Sequence, residues 1–360
     1  MDVLRTRDAR LEVQVLHYGM TVHALRVQHK GHTHDLLVGP EDPAAHTHAR
    51  RFCGPLIGRY ANRLPAGRLT TDAVEVDAQE WGGAGVSHHG GPPAAHSSEQ
   101  AGPFDTVVWT RADAPRLFGA ADRAPFDESV VLALESPAGD QGYPGRVRVE
   151  ALTAVGAAPL RVHVAYRACV LDACAATPLN LAQHWGFNLG ASDPAHRGES
   201  VVGHVLGMRG PLRRLQLDAR GVPTGALEAC DAAHDWTCAK PIGAQMPEGG
   251  YDHYYVWGAP RDAPAVTLRG PSGIALAFST NQAGVQLYTA NSVSADAPAR
   301  KALHRGAERD GVHAAAFLEF SAPHATFLHR SLQDAAGTDT LLRPGEVYDH
   351  WVDVELQLDP

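Results

Sequence analysis

Apolar and polar residues alternate with a period of two along much of this chain. Over residues 11–15 the order is Leu-Glu-Val-Gln-Val, and similar patterns recur over residues 160–168, 274–278 and 352–358. Successive side chains of a β-strand point to opposite faces of a sheet. The alternation therefore predicts antiparallel strands with one buried face.

Turn-forming residues separate these segments, since the chain contains 36 glycines and 25 prolines. Helical periodicity is confined to short candidates at residues 114–121 and 298–304. Strands do not alternate with helices, which excludes Rossmann and TIM-barrel folds. Residues 84–102 are typical of a long surface loop. We expect an all-β fold in which residues 1–360 form a single domain of large antiparallel sheets packed face to face.

Composition limits the partners. The chain has 360 residues, 44% hydrophobic and 20% charged, with a net charge of −9 and a pI near 6.1. An acidic surface disfavours nucleic acid and anionic membranes, which require a basic surface. The N-terminus lacks a signal-like apolar core and no apolar run of membrane-spanning length occurs, so we expect a cytoplasmic protein. The five cysteines form no C-x-x-C pair and are expected to be free thiols.

Histidine is abundant, with 21 residues, and some lie in closely spaced pairs such as His32-Thr33-His34 and His46-Thr47-His48. No motif of the H-E-x-x-H type is present, and this composition is also typical of a GC-rich genome. We expect most of these histidines to lie at the surface, and we expect no metal and no other cofactor.

Two residues are candidates for proton-transfer chemistry. His184 lies among small, apolar and amide residues, and no second histidine or cysteine is near it in the sequence. Glu319 lies in the apolar segment 314–320, where desolvation would raise its pKa. A carboxylate and an imidazole with tuned pKa values suit general acid–base catalysis. By themselves, the two residues also fit a packing histidine and a glutamate at a sheet edge.

Short motifs in a fixed order give these residues a context. They are Gly58-Arg59-Tyr60-Ala61-Asn62-Arg63, His89-Gly90-Gly91, Phe104-Asp105, Val108-Trp109, Gly142-Tyr143-Pro144-Gly145, the segment from Thr177 to Leu189, Pro223-Thr224-Gly225, Tyr251-Asp252-His253, Gly284-Val285-Gln286, Phe317-Leu318-Glu319 and Arg343-Pro344-Gly345-Glu346. The ordered set resembles the aldose 1-epimerases (galactose mutarotases), from Tyr18 to His350. The resemblance implies a β-supersandwich with a sugar site in an open cleft.

The resemblance also implies roles. Glu319 matches the general base and His184 the general acid of ring opening. Five other residues match positions that bind the sugar, namely Asn62, Arg63, His89, Asp252 and Gln286. The implied partner is a monosaccharide such as galactose or glucose, and the implied assembly is a monomer or a homodimer.

The chain departs from the family pattern after the catalytic histidine. Trp185-Gly186 stands where family members commonly have Ser-Tyr, and Gln183 replaces the usual Asn. The tyrosine hydroxyl is lost at Gly186, whereas Trp185 is predicted to bind the sugar by offering its aromatic face. We expect these changes to alter sugar preference and not the proton chemistry.

Two other functions fit the same residues. A hexose-6-phosphate epimerase would need arginines converging on the phosphate, and the candidates are Arg50, Arg51, Arg59 and Arg68. A non-catalytic sugar sensor would use the same cleft but would have no need of both an acid and a base. The motif matches favour a free sugar. A metal-dependent enzyme of the cupin type is a more distant alternative.

Overall fold

The computed structural model describes residues 1–48, 52–93, 101–196, 198–257, 264–292 and 299–360. In these ranges strands dominate, and the α-helices are Ala120–Arg123 and Arg330–Ala336. Short 3-10 helices span Pro43–Thr47, Phe104–Thr106, Asp140–Gly142, Ile242–Gln245 and Thr326–Leu328. The predicted all-β fold is confirmed.

Among the described residues, the largest sheet has nine antiparallel strands. In spatial order they are Thr110–Arg111, Glu128–Ser136, Val147–Ala157, Leu160–Val170, Tyr348–Leu358, Ile274–Thr280, Val266–Arg269, Val205–Met208 and Lys240–Pro241. Two of the predicted alternating segments pair directly, with Val164 opposite Val352. Both of these valines are buried, so the period-two pattern identifies the inward face.

A six-stranded sheet carries the candidate chemistry. In spatial order its strands are Gly186–Phe187, Ala316–Ser321, Gly284–Tyr288, Asp252–Trp257, Leu212–Leu217 and Pro223–Ala229. All six residues of Ala316–Ser321 are buried, as expected of a strand covered on both faces. Pairing within this sheet brings three motif segments, at residues 252–257, 284–288 and 316–321, side by side.

A four-stranded antiparallel sheet forms the N-terminal part, with strands Asp2–Arg5, Leu11–Leu16, Thr21–His29 and His32–Asp35. Two-stranded ladders complete the described strands and pair Thr177–Pro178 with Leu341–Leu342, Ala182–Gln183 with Leu56–Ile57, Arg63–Pro65 with Val86–His88, and Gly67–Thr70 with Glu75–Ala78. One hydrophobic cluster includes Val13, Val164 and Leu318, one residue from each large sheet. The sheets therefore pack around a shared core.

Arg59 is a buried cation that joins several loops. The residue is 2% exposed, and its guanidinium donates at 2.6–3.1 Å to the carbonyl oxygens of Ser136, Pro137, Pro144 and Gly145. Burial lowers the pKa of Arg59 to about 10, while the nearby Asp140 carboxylate opposes this shift. The arginine of the Gly58–Arg63 motif thus holds the Gly142–Gly145 motif in place.

The two predicted helices are largely wrong. Within residues 114–121 a helix begins only at Ala120, and the described residues 299–304 of the second candidate contain no helix. There the side chain of Lys301 is buried, with Nζ 3.1 Å from Asp35 Oδ2. Tertiary contacts therefore override local periodicity.

Two further elements differ from the expectation. Helix Arg330–Ala336 lies in a segment for which no helix is predicted. The predicted loop at residues 84–102 contains strand Val86–His88, and its residues 94–100 lie outside the described ranges.

The expectation of surface histidines is also wrong for many positions. Burial lowers the pKa of His204 to about 4 and that of His324 and His350 to about 3, so these rings are packing residues. Four cysteines are free thiols, as predicted, namely Cys169, Cys174, Cys230 and Cys238. In the described part of the chain, no helix is long and apolar enough to cross a membrane.

Replacing Arg59 tests the importance of this buried cation. Arg59→Leu leaves several buried carbonyl oxygens without a donor, and we expect the free energy of unfolding to fall by about 3–5 kcal/mol. Arg68→Leu is the matched control, because the Arg68 side chain is 74% exposed. Urea denaturation followed by circular dichroism measures both. Equal midpoints for the two variants would contradict the assignment.

Candidate active site

His184 and Glu319 are brought together by strand pairing. His184 directly precedes Trp185 and strand Gly186–Phe187, and that strand pairs with Ala316–Ser321. His184 Nε2 lies 3.2 Å from Glu319 Oε1. Both side chains are almost completely buried, at 7% and 4% exposure. The two candidates for proton transfer therefore lie in close contact away from bulk water.

Burial shifts the acidity of Glu319. Its pKa is raised from 4.5 to about 8, mainly because burial disfavours the carboxylate and also because the Asp252 charge is close. The Arg63 charge acts in the opposite direction. Oε2 of Glu319 is buried and has no hydrogen-bond partner among the described residues. A carboxyl group with a pKa near neutrality can both accept and return a proton.

Polar side chains lie next to Glu319. Gln286 is opposite Glu319 in the strand register, and its Nε2 donates to Asp252 Oδ1 at 2.5 Å. Arg63 Nη1 is 3.7 Å from Asp252 Oδ2. The side chains of Arg63 and Asp252 are 28% and 40% exposed, far more than those of His184 and Glu319. Solvent therefore reaches the Arg63–Asp252 pair, whereas the His184–Glu319 pair is covered.

His89 lies beside the His184–Glu319 pair, and Asn62 contacts His89. The backbone N–H of Asn62 donates to His89 Nδ1 at 3.2 Å. A neutral imidazole that accepts at Nδ1 carries its proton on Nε2, so His89 is placed as a donor. Gly90 makes this packing possible, because its φ is +84° and a Cβ there would lie 2.2 Å from the carbonyl oxygen of Gly58. The glycine keeps the His89 loop against the Gly58–Arg63 motif.

Three residues of the site also form a donor set that suits a metal ion. The ligand atoms of His89, His184 and Glu319 lie within 4.8 Å of one another, and two histidines with a glutamate bind zinc in some enzymes. A metal-bound histidine normally donates its second ring N–H to an acceptor. His89 instead accepts a backbone N–H at Nδ1. This tautomer fits proton and hydrogen-bond chemistry better than metal ligation.

Comparison with known proteins identifies the family. A profile of the family described as aldose 1-epimerase matches residues 2–355. This chain belongs to the aldose 1-epimerase family. It is 27% identical to the galactose mutarotase of Bos taurus over 97% of this chain and 92% of the relative. It is 28% identical to the aldose 1-epimerase of Haemophilus influenzae over 78% of this chain and 76% of that protein.

Solved structures share the fold. A GalM/aldose epimerase homologue from C. elegans superimposes with a TM-score of 0.80 at 20% identity, covering 100% of this chain and 99% of its own. A galactose 1-epimerase from Lactobacillus acidophilus superimposes with a TM-score of 0.74 at 21% identity, covering 98% and 93% of the two chains. These neighbours confirm the expected galactose mutarotase-like β-supersandwich of the aldose 1-epimerase family.

Trp185 of this family member lies in the core and not at the site. The residue is 1% exposed, its ring packs against Phe187, and its indole N–H donates to the carbonyl oxygen of Leu318 at 2.9 Å. It belongs to the main hydrophobic cluster. The prediction that its aromatic face binds a sugar is therefore wrong, because the side chain next to His184 enters the core.

Gly186 is closely packed rather than open. A Cβ at this position would lie 2.6 Å from the ring of Phe317, so Phe317 occupies the space beside the glycine. The Phe317 ring centroid is 5.0 Å from that of His184. A tyrosine at Gly186 would therefore have to displace Phe317. The period-two pattern of the strand could have indicated that Phe317 lies at the site, because residues 317 and 319 lie on the same face of the strand.

Phe52 is another neighbour of the pair, and no motif or periodic pattern marks it in the sequence. Its ring centroid is 4.6 Å from that of His89 and 5.5 Å from that of His184. The predicted site residues that the structure brings together are Asn62, Arg63, His89, His184, Asp252, Gln286 and Glu319. Phe52 and Phe317 join them, and Trp185 does not.

The arginines named as candidate phosphate ligands have other partners or fall outside the described residues. Arg59 is buried and donates to carbonyl oxygens. Arg68 is largely exposed, and its Nε lies 3.6 Å from Glu75 Oε1. Arg50 and Arg51 lie outside the described residues. The described arginines of this set therefore give no support to a phosphate site.

Neutralising Asp252 tests the electrostatics of Glu319. Since the Asp252 charge raises the pKa of Glu319, Asp252→Asn should move that pKa from about 8 towards 4.5, whereas Arg63→Gln should move it upwards. NMR titration of carbon-13-labelled glutamate carboxyl groups measures the change. Asp334→Asn, on helix Arg330–Ala336, is the control and should leave it unchanged. Shifts of the opposite sign would contradict the arrangement.

Truncating Trp185 tests its place in the core. Trp185→Ala should lower the free energy of unfolding by about 3–5 kcal/mol, since it removes a large buried ring and its hydrogen bond. Trp351→Ala, at a half-buried position of the nine-stranded sheet, should cost less. Thermal and urea unfolding provide the comparison. A smaller loss for Trp185→Ala than for Trp351→Ala would show that Trp185 is not a core residue.

Proposed function

We propose that this protein is an aldose 1-epimerase, an isomerase that interconverts the α and β anomers of a free hexose such as galactose or glucose. The observation that carries the proposal is the buried contact of 3.2 Å between His184 Nε2 and Glu319 Oε1 in a chain of this family. The names of the relatives, galactose mutarotase and aldose 1-epimerase, support the same activity.

Ring opening of a cyclic hemiacetal requires two proton movements. In the proposed mechanism Glu319, as the carboxylate, removes the proton from the C1 hydroxyl while protonated His184 donates a proton to the ring oxygen. The bond between C1 and the ring oxygen breaks, and the open-chain aldehyde forms. Rotation about C1–C2 presents the other face of the carbonyl, and reversal of both transfers closes the ring. Each residue then regains its starting protonation state, so the cycle needs no added acid, base or cofactor.

The surrounding polar residues are proposed to hold the sugar. Donors to its hydroxyl groups are the Arg63 guanidinium, the Asn62 amide and the Nε2–H of His89, and Asp252 is an acceptor. The Gln286 amide is oriented by its hydrogen bond to Asp252.

Arg63 has a second proposed role, because its charge opposes the rise in the Glu319 pKa. It thereby helps to maintain some Glu319 carboxylate at neutral pH. Asp252 acts in the opposite direction. Sugar binding and acid–base tuning are thus linked through the same two residues.

The proposal includes a free sugar and a cytoplasmic protein of one domain, acting as a monomer or a homodimer. A free sugar is supported by the burial of Arg59 and by the pairing of Arg68 with Glu75. Free thiols are typical of a reducing compartment. A net charge of −9 is unfavourable for nucleic acid or an anionic membrane as a partner.

Substitution of the two central residues tests the mechanism. Glu319→Gln and His184→Gln each remove one proton transfer, and we expect kcat to fall by roughly a hundredfold or more. Glu346→Gln and His196→Gln, at exposed positions, are matched controls that should retain full activity. Polarimetry of freshly dissolved α-D-glucose and α-D-galactose measures the rate.

The same assay separates the alternatives. A sugar sensor would bind hexose without accelerating its mutarotation, and a hexose-6-phosphate epimerase would prefer the phosphorylated substrate. Near-wild-type rates for folded Glu319→Gln or His184→Gln would contradict the assigned roles.

A further inference from the structure

Aromatic rings pack around the imidazole of His184. Phe52 lies at a centroid distance of 5.5 Å with an interplanar angle of 34°, and Phe317 lies at 5.0 Å with an angle of 60°. His89 completes the group, 4.6 Å from Phe52 and 5.2 Å from His184. We call these four rings the site ring cluster. Phe52 and Phe317 form the apolar part of this cluster, next to the His184–Glu319 pair.

The position of Phe52 is fixed by the backbone that follows it. Gly54 N–H donates to the carbonyl oxygen of His184 at 2.8 Å, and His184 N–H donates to that of Pro55 at 2.9 Å. The chain is therefore bonded to the His184 segment only two residues beyond Phe52. These bonds hold the Phe52 ring beside the imidazole.

Exposure distinguishes the two phenylalanines. Phe317 is 6% exposed and fills the space beside Gly186, whereas Phe52 is half-buried. Phe52 packs on a small apolar cluster that includes Ile57 and Ala182. One part of its ring is thus supported by the protein, and another part remains accessible.

The backbone at Phe52 is also unusual. Its φ is +53°, and its neighbours at the site, Asn62 and His89, have φ values of +64° and +50°. Residues other than glycine seldom adopt a left-handed conformation, and bulky residues do so least often. Such conformations cluster at functional sites, where the surrounding structure maintains them. Three residues close to the His184–Glu319 pair therefore share this conformation.

A hexopyranose presents C–H bonds as well as hydroxyl groups. Polar residues such as Arg63 and Asp252 can satisfy the hydroxyl groups but offer little apolar surface to the C–H bonds. Trp185, the aromatic residue expected from the sequence, is buried in the core. We propose that Phe52 is the aromatic platform on which the C–H face of the bound hexose packs. This inference rests on the proposed function, since it assumes a sugar beside Glu319.

Phe52 makes no proton transfer, so its contribution belongs to binding. The contact is common to hexoses, and its loss should weaken all of them together. Aromatic contacts of this kind typically change binding by about tenfold. We therefore expect Phe52→Ala to raise KM for glucose and galactose roughly tenfold while kcat changes much less.

The test uses 1,5-anhydro-D-glucitol and 1,5-anhydro-D-galactitol, which lack the anomeric hydroxyl and cannot undergo ring opening. Titration calorimetry measures their Kd, and saturation-transfer NMR reports which sugar protons contact the protein. Phe52→Ala and Phe52→Leu should bind both compounds roughly tenfold more weakly than the wild type. Phe52→Tyr keeps an aromatic ring and should bind them with wild-type affinity. Phe126→Ala is the matched control, because that half-buried ring packs against Arg161 of the nine-stranded sheet.

The outcomes separate the two proposals. The platform would be overturned if folded Phe52→Ala or Phe52→Leu bound with wild-type affinity. It would also be overturned if Phe52→Tyr bound as weakly as Phe52→Ala. If Phe52→Ala does not fold, Phe52→Leu still retains apolar bulk without a ring and carries the test. Absence of mutarotation with Phe52-dependent binding would instead reject the catalytic proposal alone.

Discussion

The buried guanidinium of Arg59 organises the loops that build the site. Interior carbonyl oxygens would otherwise lack donors, and the guanidinium bonds those of Ser136, Pro137, Pro144 and Gly145. The backbone oxygen of Arg59 accepts the N–H of Asn180 at 2.9 Å, in the segment that leads to His184. Arg59 thus links the loop bearing Asn62 and Arg63 to the His184 segment.

Desolvation is the second constraint. Burying Glu319 raises the energy of its charged form, and the nearby Asp252 adds to this cost. The Arg63 charge offsets it in part. The result is a carboxyl group with a pKa of about 8 that lies between apolar rings on one side and polar side chains on the other.

The sequence was sufficient to predict the all-β fold, several of its strands and most of the residues of the candidate site. Period-two alternation located four strands, at residues 11–16, 160–170, 274–280 and 348–358. The ordered motifs located seven residues that the structure brings together. Trp185 was misplaced because motif matching gives no direction for a side chain, and neighbours along a strand point to opposite sides. Phe52 was missed because loop residues follow no period. Helix Arg330–Ala336 is too short to produce a clear pattern.

The hydrogen bond from Trp185 to Leu318 has a consequence for engineering. Each of these residues is adjacent in sequence to a member of the central pair, so the bond connects the segments that carry His184 and Glu319. The distance between His184 and Glu319 therefore depends on how the core packs. Attempts to broaden substrate range should therefore leave the hydrogen bond from Trp185 to Leu318 intact.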